Sequence, residues 1–214
     1  MMSPKAILRG EIKKLIKNVP KEAFRSLGAR AAALLSSSPV WSAYKTIFLF
    51  LSIDTEIDTN PLLEAALNEG KKVFAPRVEA EPSKNRSLDA KHGEKLVFYP
   101  VVSPHGPWRE GPFGIREPYF SDTSDAKSAE FPALIVTPGL AFDSEGNRLG
   151  RGRGFYDRFF AELDAEGRQY TAIGYCMDFQ LVDKVPVGEN DKRMDGLAAG
   201  EKLSLFSDTG ENHV

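Results

Sequence analysis

The segment from Arg148 to Asp157, RLGRGRGFYD, alternates glycine with arginine directly ahead of a helix-forming run. Backbone N–H groups beside Gly150, Gly152 and Gly154 can approach an anion closely, because no Cβ stands in the way. A helix starting there points its positive end and its unpaired N–H donors at the same place. Arg148, Arg151 and Arg153 add permanent charge and forked donors that suit phosphate oxygens. The chemistry this predicts is the binding of a polyphosphate such as a nucleotide. Spacing alone does not single one out: the loop lacks the Lys-Ser/Thr ending of a P-loop, and its glycines alternate where a dinucleotide turn would carry G-x-G-x-x-G. A solvated connection between strand and helix is the competing reading.

The loop needs elements to hold it. From Pro4 to Lys17, Ile7, Leu8, Ile12, Leu15 and Ile16 follow a helical period, while Lys5, Arg9, Lys13 and Lys17 line another face. Pro20 opens a second helix with Phe24, Leu27, Ala31, Leu34 and Leu35 inward, stopped at Ser36 to Pro39. A strand at Thr46 to Leu51, a helix at Pro61 to Asn68 and a strand at Lys72 to Ala75 make one unit. Ala133 to Thr137, a helix from Phe155 to Asp164 and Thr171 to Tyr175 make another. Short apolar strands alternating with helices predict an α/β fold: a doubly wound, mostly parallel sheet with helices on both faces, a Rossmann-like three-layer arrangement. Ligands then belong beyond the carboxyl ends of the strands.

The stretch TPGLAFDSEGNRLGRGRGFYDRF, from Thr137, resembles the signature of the 5-formyltetrahydrofolate cyclo-ligase family. Further segments agree with that family in order: Lys5 to Arg9, FLFLSIDTEIDT from Phe48, FGIREP from Phe113 and VPVGENDKRMD from Val185. The resemblance implies ATP- and Mg²⁺-dependent closure of 5-formyltetrahydrofolate to 5,10-methenyltetrahydrofolate, releasing ADP and phosphate. An N-formyl group is an amide whose oxygen leaves poorly, so the formyl oxygen is phosphorylated before N10 attacks. A non-catalytic binder of reduced folate on the same scaffold is the alternative. A sugar-phosphate isomerase or acyl-CoA-type enzyme on a similar sheet is a more distant one.

By the same resemblance, Lys5, Arg9 and the loop Arg148, Leu149, Gly150, Arg151, Gly152, Arg153, Gly154, Phe155 and Tyr156 contact ATP. Arg148, Arg151, Arg153 and Tyr156 are the expected catalytic groups. Arg9, Leu51, Glu56, Trp108 and Arg151 to Phe155 are the expected folate contacts. Asp157 and Asp191 are expected to hold Mg²⁺, a hard cation that takes one or two carboxylates together with phosphate oxygens and waters. Asp195 competes with Asp191 for that role. Phe155 stands where the family often has tyrosine, which removes one hydroxyl.

Charge is nearly balanced, with 28 basic against 30 acidic residues, so it gives no case for nucleic acid or membrane. The lone Cys176 reads as a core residue and His92, His105 and His213 as surface residues. Residues 1–200 are expected to form a single domain with a proline-rich, irregular insertion at about 79–128, interrupted by a short strand at Lys95 to Tyr99, followed by a polar tail at 201–214. The protein is expected to be a cytoplasmic monomer acting on 5-formyltetrahydrofolate and its polyglutamates.

Overall fold

The computed structural model describes residues 2–80, 93–119 and 129–206. Helices α1 (Pro4–Lys17), α2 (Lys21–Ser36) and the short α3 (Pro39–Ser42) come first. They lead into β1 (Thr46–Leu49), α4 (Asn60–Asn68), β2 (Lys72–Ala80) and β3 (Glu94–Val101). A hairpin follows, β4 (Trp108–Glu110) and β5 (Arg116–Pro118), then β6 (Ala133–Thr137), the ribbon β7 (Ala141–Phe142) and β8 (Arg148–Leu149), and α5 (Phe155–Ala165). The chain finishes with β9 (Tyr170–Cys176), β10 (Gly196–Ala199) and β11 (Lys202–Leu205).

Seven strands form one sheet in the order β11-β10-β9-β6-β1-β2-β3. Neighbours from β10 to β2 run parallel, and the outermost strand on each side, β11 and β3, is antiparallel. Side-chain alternation in β1 shows why helices cover both faces: Ile47 and Leu49 join the core packed by α1 to α4, while Phe48 points to the core packed by α5. Order along the sheet reverses between β1 and β6, because the chain leaves β1 toward β2 and returns beyond it as β6. Such a reversal opens a crevice at the carboxyl ends of those two strands.

Two stretches differ from the sequence reading. The insertion is more regular than expected: the strand expected at Lys95 to Tyr99 is present and longer, as β3, β2 extends to Ala80 and pairs with it over eight residues from Val73 to Ala80, and β4 pairs with β5. Residues 81–92 and 120–128 of that insertion, with His92, and the tail from 207, with His213, lie outside the described residues. The beginning of the tail is not loose either, since Lys202–Leu205 pairs with Gly196–Ala199. Cys176 is buried in β9, as expected of a core residue. Among the described residues no helix is long and apolar enough to cross a membrane.

Candidate active site

A cleft of about 570 Å³ opens at the crevice between β1 and β6. Its two sides differ in chemistry. Phe50, Leu51, Pro76, Val78, Leu96 and Ile115 make an apolar side; Lys5, Arg9 and the loop from Arg148 to Asp157 make a cationic one, with Asp191 beside it.

The ribbon β7–β8 delivers the loop. Arg148, opposite Phe142 in that ribbon, has a side chain only 4% exposed; its Nη2–H donates to Asp157 Oδ1 at 2.6 Å and its Nη1–H to Pro138 O at 3.4 Å. Its guanidinium lies 5.7 Å from the Tyr156 ring centre. Gly152 and Gly154 take φ of +103° and +64°, a region that side-chain-bearing residues avoid, so Arg153 between them is held in a turn that favours glycine on either side. Gly154 is also the N-cap of α5, and no side chain caps that helix end. Its first N–H groups are therefore left for an anion.

Helix α1 crosses to the loop. Arg9 Nε–H donates to Gly150 O at 2.9 Å, and Lys5 is ion-paired to Asp191, which also accepts the Gly188 N–H at 2.6 Å. On the other side, Arg151 forks onto Glu56 Oε1 at 3.1 and 2.8 Å, while Glu56 Oε2 accepts the Ile53 N–H at 3.3 Å. Arg153 reaches Glu94 Oε2 at 3.4 Å. Arg158 ties the loop down, donating to Arg153 O at 2.9 Å and Glu94 O at 3.0 Å.

Two buried donors stand out. The Tyr156 hydroxyl and Arg148 Nε both lie in this wall with no hydrogen-bond partner among the described residues. Burial pushes the Tyr156 phenol well above its ordinary value, and the Glu56 charge adds to that, partly offset by Arg148. The hydroxyl is thus a neutral donor rather than a base.

Nearly all the residues expected from sequence converge on this cleft: Lys5, Arg9, Leu51, Glu56, Arg148 through Tyr156, Asp157 and Asp191 all line it. Trp108 is the exception and is not among the lining residues. Its Nε1–H donates to Pro104 O at 3.3 Å, its ring carries Arg116 at 5.4 Å, and it packs against the core. Asp195 is absent from the lining too; its Oδ2 accepts the Ala172 N–H at 2.6 Å, which fastens it to β9. Lys13, Pro76, Val78, Leu96, Ile115 and Glu117 were not foreseen as lining residues. Lys13 follows Arg9 at helical spacing, which was its available signal; Leu96 falls in the strand expected at Lys95 to Tyr99, but nothing in its residue type marks it or Val78 as facing a ligand.

Comparison with known proteins agrees with this geometry. Residues 1–199 match the 5-formyltetrahydrofolate cyclo-ligase family. The 5-formyltetrahydrofolate cyclo-ligase of Escherichia coli (strain K12) is 30% identical over 179 residues, 84% of this chain and 91% of that protein. The one from Saccharomyces cerevisiae is 25% identical over 208 residues, 94% and 97% of the two chains. The solution structure of Aquifex aeolicus 5,10-methenyltetrahydrofolate synthetase superposes with a TM-score of 0.73 at 26% identity, covering 99% of this chain and 100% of that one. The fold is that of an α/β enzyme of the ligase class. The chain belongs to the 5-formyltetrahydrofolate cyclo-ligase family.

Proposed function

We propose that this protein closes 5-formyltetrahydrofolate to 5,10-methenyltetrahydrofolate, using ATP with Mg²⁺ and releasing ADP and phosphate. The observation that carries the reading is the division of one cleft into an apolar side and a cationic glycine-rich side that ends at an uncapped helix. A flat ring system fits the first and a polyphosphate the second. Their junction is where the terminal phosphoryl group of ATP passes to the formyl oxygen. N10 then attacks the activated carbon, the C–O bond breaks, phosphate leaves with both bonding electrons, and the N10 proton is lost to solvent.

Phosphoryl transfer asks a protein for positioning and charge rather than a nucleophile. Arg151 and Arg153, at the loop's exposed crest, are suited to the transferring phosphoryl group. Arg148 is suited to holding Asp157 in place. Lys5 and Arg9 approach from α1 as further phosphate contacts, and the partnerless Tyr156 hydroxyl is a donor for a substrate oxygen. Asp157 and Asp191 fit Mg²⁺ as hard carboxylates on one cleft, and each already faces a protein cation that holds it in position. When bound there, Mg²⁺ would neutralise charge on the phosphate oxygens. Glu56 and Leu51 are suited to the folate, while Trp108, seated outside the lining, is left packing against the core. The same reading takes the protein as a cytoplasmic monomer that accepts polyglutamates.

The test is direct: purified protein, 5-formyltetrahydrofolate, ATP and Mg²⁺, with the near-ultraviolet absorbance of the methenyl product followed against controls lacking ATP or metal. Product that needs both is expected. Asp157→Ala and Arg148→Ala should each lower the rate by at least about a hundredfold in folded protein. Full activity in both variants would defeat the site assignment.

A further inference from the structure

The segment FGIREP contributes Ile115 to the apolar side of the cleft and also carries an acid to which the reaction described above gives no role. Its Glu117, on β5, has a side chain only 2% exposed, yet it lines the cleft beside Ile115 and Val78. Protein donors occupy both its oxygens. Oε1 accepts the Val78 N–H at 2.8 Å, and Oε2 accepts Arg109 Nε–H and Nη2–H at 3.0 and 2.7 Å. Gly111 supplies the room, because a Cβ there would stand 2.2 Å from Glu117 Cδ.

The β4–β5 ribbon pairs over three residues and, among the described residues, forms no ladder with the main sheet. A two-stranded ribbon of that length does not hold itself in place. It is fastened from outside, to β2 by the Val78 N–H on Glu117 and to α4 by Arg116 Nη2–H on Asn60 Oδ1 at 2.7 Å. Buried ion pairs add little net stability over apolar packing, but a missing partner is costly and the pair fixes register. Such a device belongs where geometry matters more than strength.

We infer that Glu117 is a positioning residue for the folate. By clamping the ribbon to β2 while Arg109 holds its other oxygen, it sets the width of the apolar slot between Val78, Leu96 and Ile115. With three donors already in place it positions this wall rather than binding the substrate itself. The inference rests on the folate reading of the cleft and assigns a residue on the side away from the phosphates.

In Glu117→Gln the amide keeps one acceptor and turns an N–H₂ group toward the other donor, so one of the two anchors is lost. Arg109→Gln releases the same clamp from its more exposed end, where the side chain is 34% exposed, and supplies the reading should the first variant fail to fold. Equilibrium binding of 5-formyltetrahydrofolate without nucleotide and steady-state kinetics with both substrates would be measured on folded protein. The dissociation constant and KM for 5-formyltetrahydrofolate are expected to rise about tenfold, with kcat and the KM for ATP unchanged. Folate affinity equal to wild type in the folded variants, or KM values for both substrates rising together, would overturn the inference. Wild-type protein that binds no 5-formyltetrahydrofolate would instead overturn the reading beneath it, whatever the variants do.

Discussion

At the scale of single residues, the site is a set of charges that neutralise one another. Lys5 pairs with Asp191, Arg148 with Asp157 and Arg151 with Glu56, each across a large separation in sequence except the second. The half-exposed Arg151 keeps much of its solvation in its pair, whereas Arg148, only 4% exposed, is desolvated and depends on Asp157 to offset that cost. The pairing at Asp191 has a measurable consequence. Lys5 stands where a cation would neutralise that carboxylate, so protein without nucleotide should have little appetite for free divalent metal. Lys5→Met is expected to bind Mn²⁺ several-fold more tightly than wild type in the absence of ATP, read from the paramagnetic resonance of free Mn²⁺, and to bind ATP more weakly. Mn²⁺ affinity that does not change would remove Asp191 from the proposed metal pair.

At the scale of elements, the loop is served by a helix that the core holds from behind. Ile12 and Ile16 are the buried residues of α1, and Lys5 and Arg9 project from the same helix into the cleft. Packing and ligand contact are therefore coupled. Ile12→Ala should cost about 3 kcal/mol by emptying a core position. It should also raise the KM for ATP more than that for folate, because α1 would present Lys5 and Arg9 less firmly; thermal unfolding with kinetics on both substrates would show it. The helical period that placed Ile12 inward was plain in the sequence, as were the parallel units through β1, β2, β6 and β9, of which β1 and β6 are buried along their whole length. The edge of the sheet was legible only in part, since the strands expected at Lys72 to Ala75 and Lys95 to Tyr99 are shorter than β2 and β3. Pro76 and Pro100 sit inside β2 and β3, and prolines read as loop, yet β3 has a free edge and β2 pairs with β1 only through Phe74, so neither proline interrupts a ladder on both sides. That is why the apolar side of the cleft, drawn from Pro76, Val78, Leu96 and Ile115, escaped a reading that found the glycine loop. Trp108 illustrates the converse, an aromatic that suggests a ligand wall and instead braces Arg116 and the core.

At the scale of the whole molecule, tyrosine hydroxyls tie the layers together. Tyr175 in β9 donates to Gly28 O of α2 at 2.8 Å on one face, and Tyr170 at the start of the same strand donates to Asp164 Oδ1 of α5 at 2.6 Å on the other. Tyr99 in the edge strand donates to Glu79 Oε1 of β2 at 2.6 Å. Each bond requires the phenol proton. Burial, and then the hydrogen bond to a carboxylate, pushes the Tyr99 and Tyr170 phenols up to about 12, from 10.0 in the free side chain. Between those values the folded protein keeps protons that the unfolded chain has released, so the folded state binds more of them and stability must fall as pH rises. The contribution is complete below about pH 10 and is lost through about pH 12. The unfolding temperature is therefore expected to decline steeply across that window. Tyr99→Phe should be less stable than wild type at neutral pH, having lost the bond to Glu79, and should show a shallower decline between pH 10 and 12, having lost one of the protons that drives it. A variant whose curve runs parallel to wild type through that window would show that the Tyr99 proton does not couple the edge strands to folding.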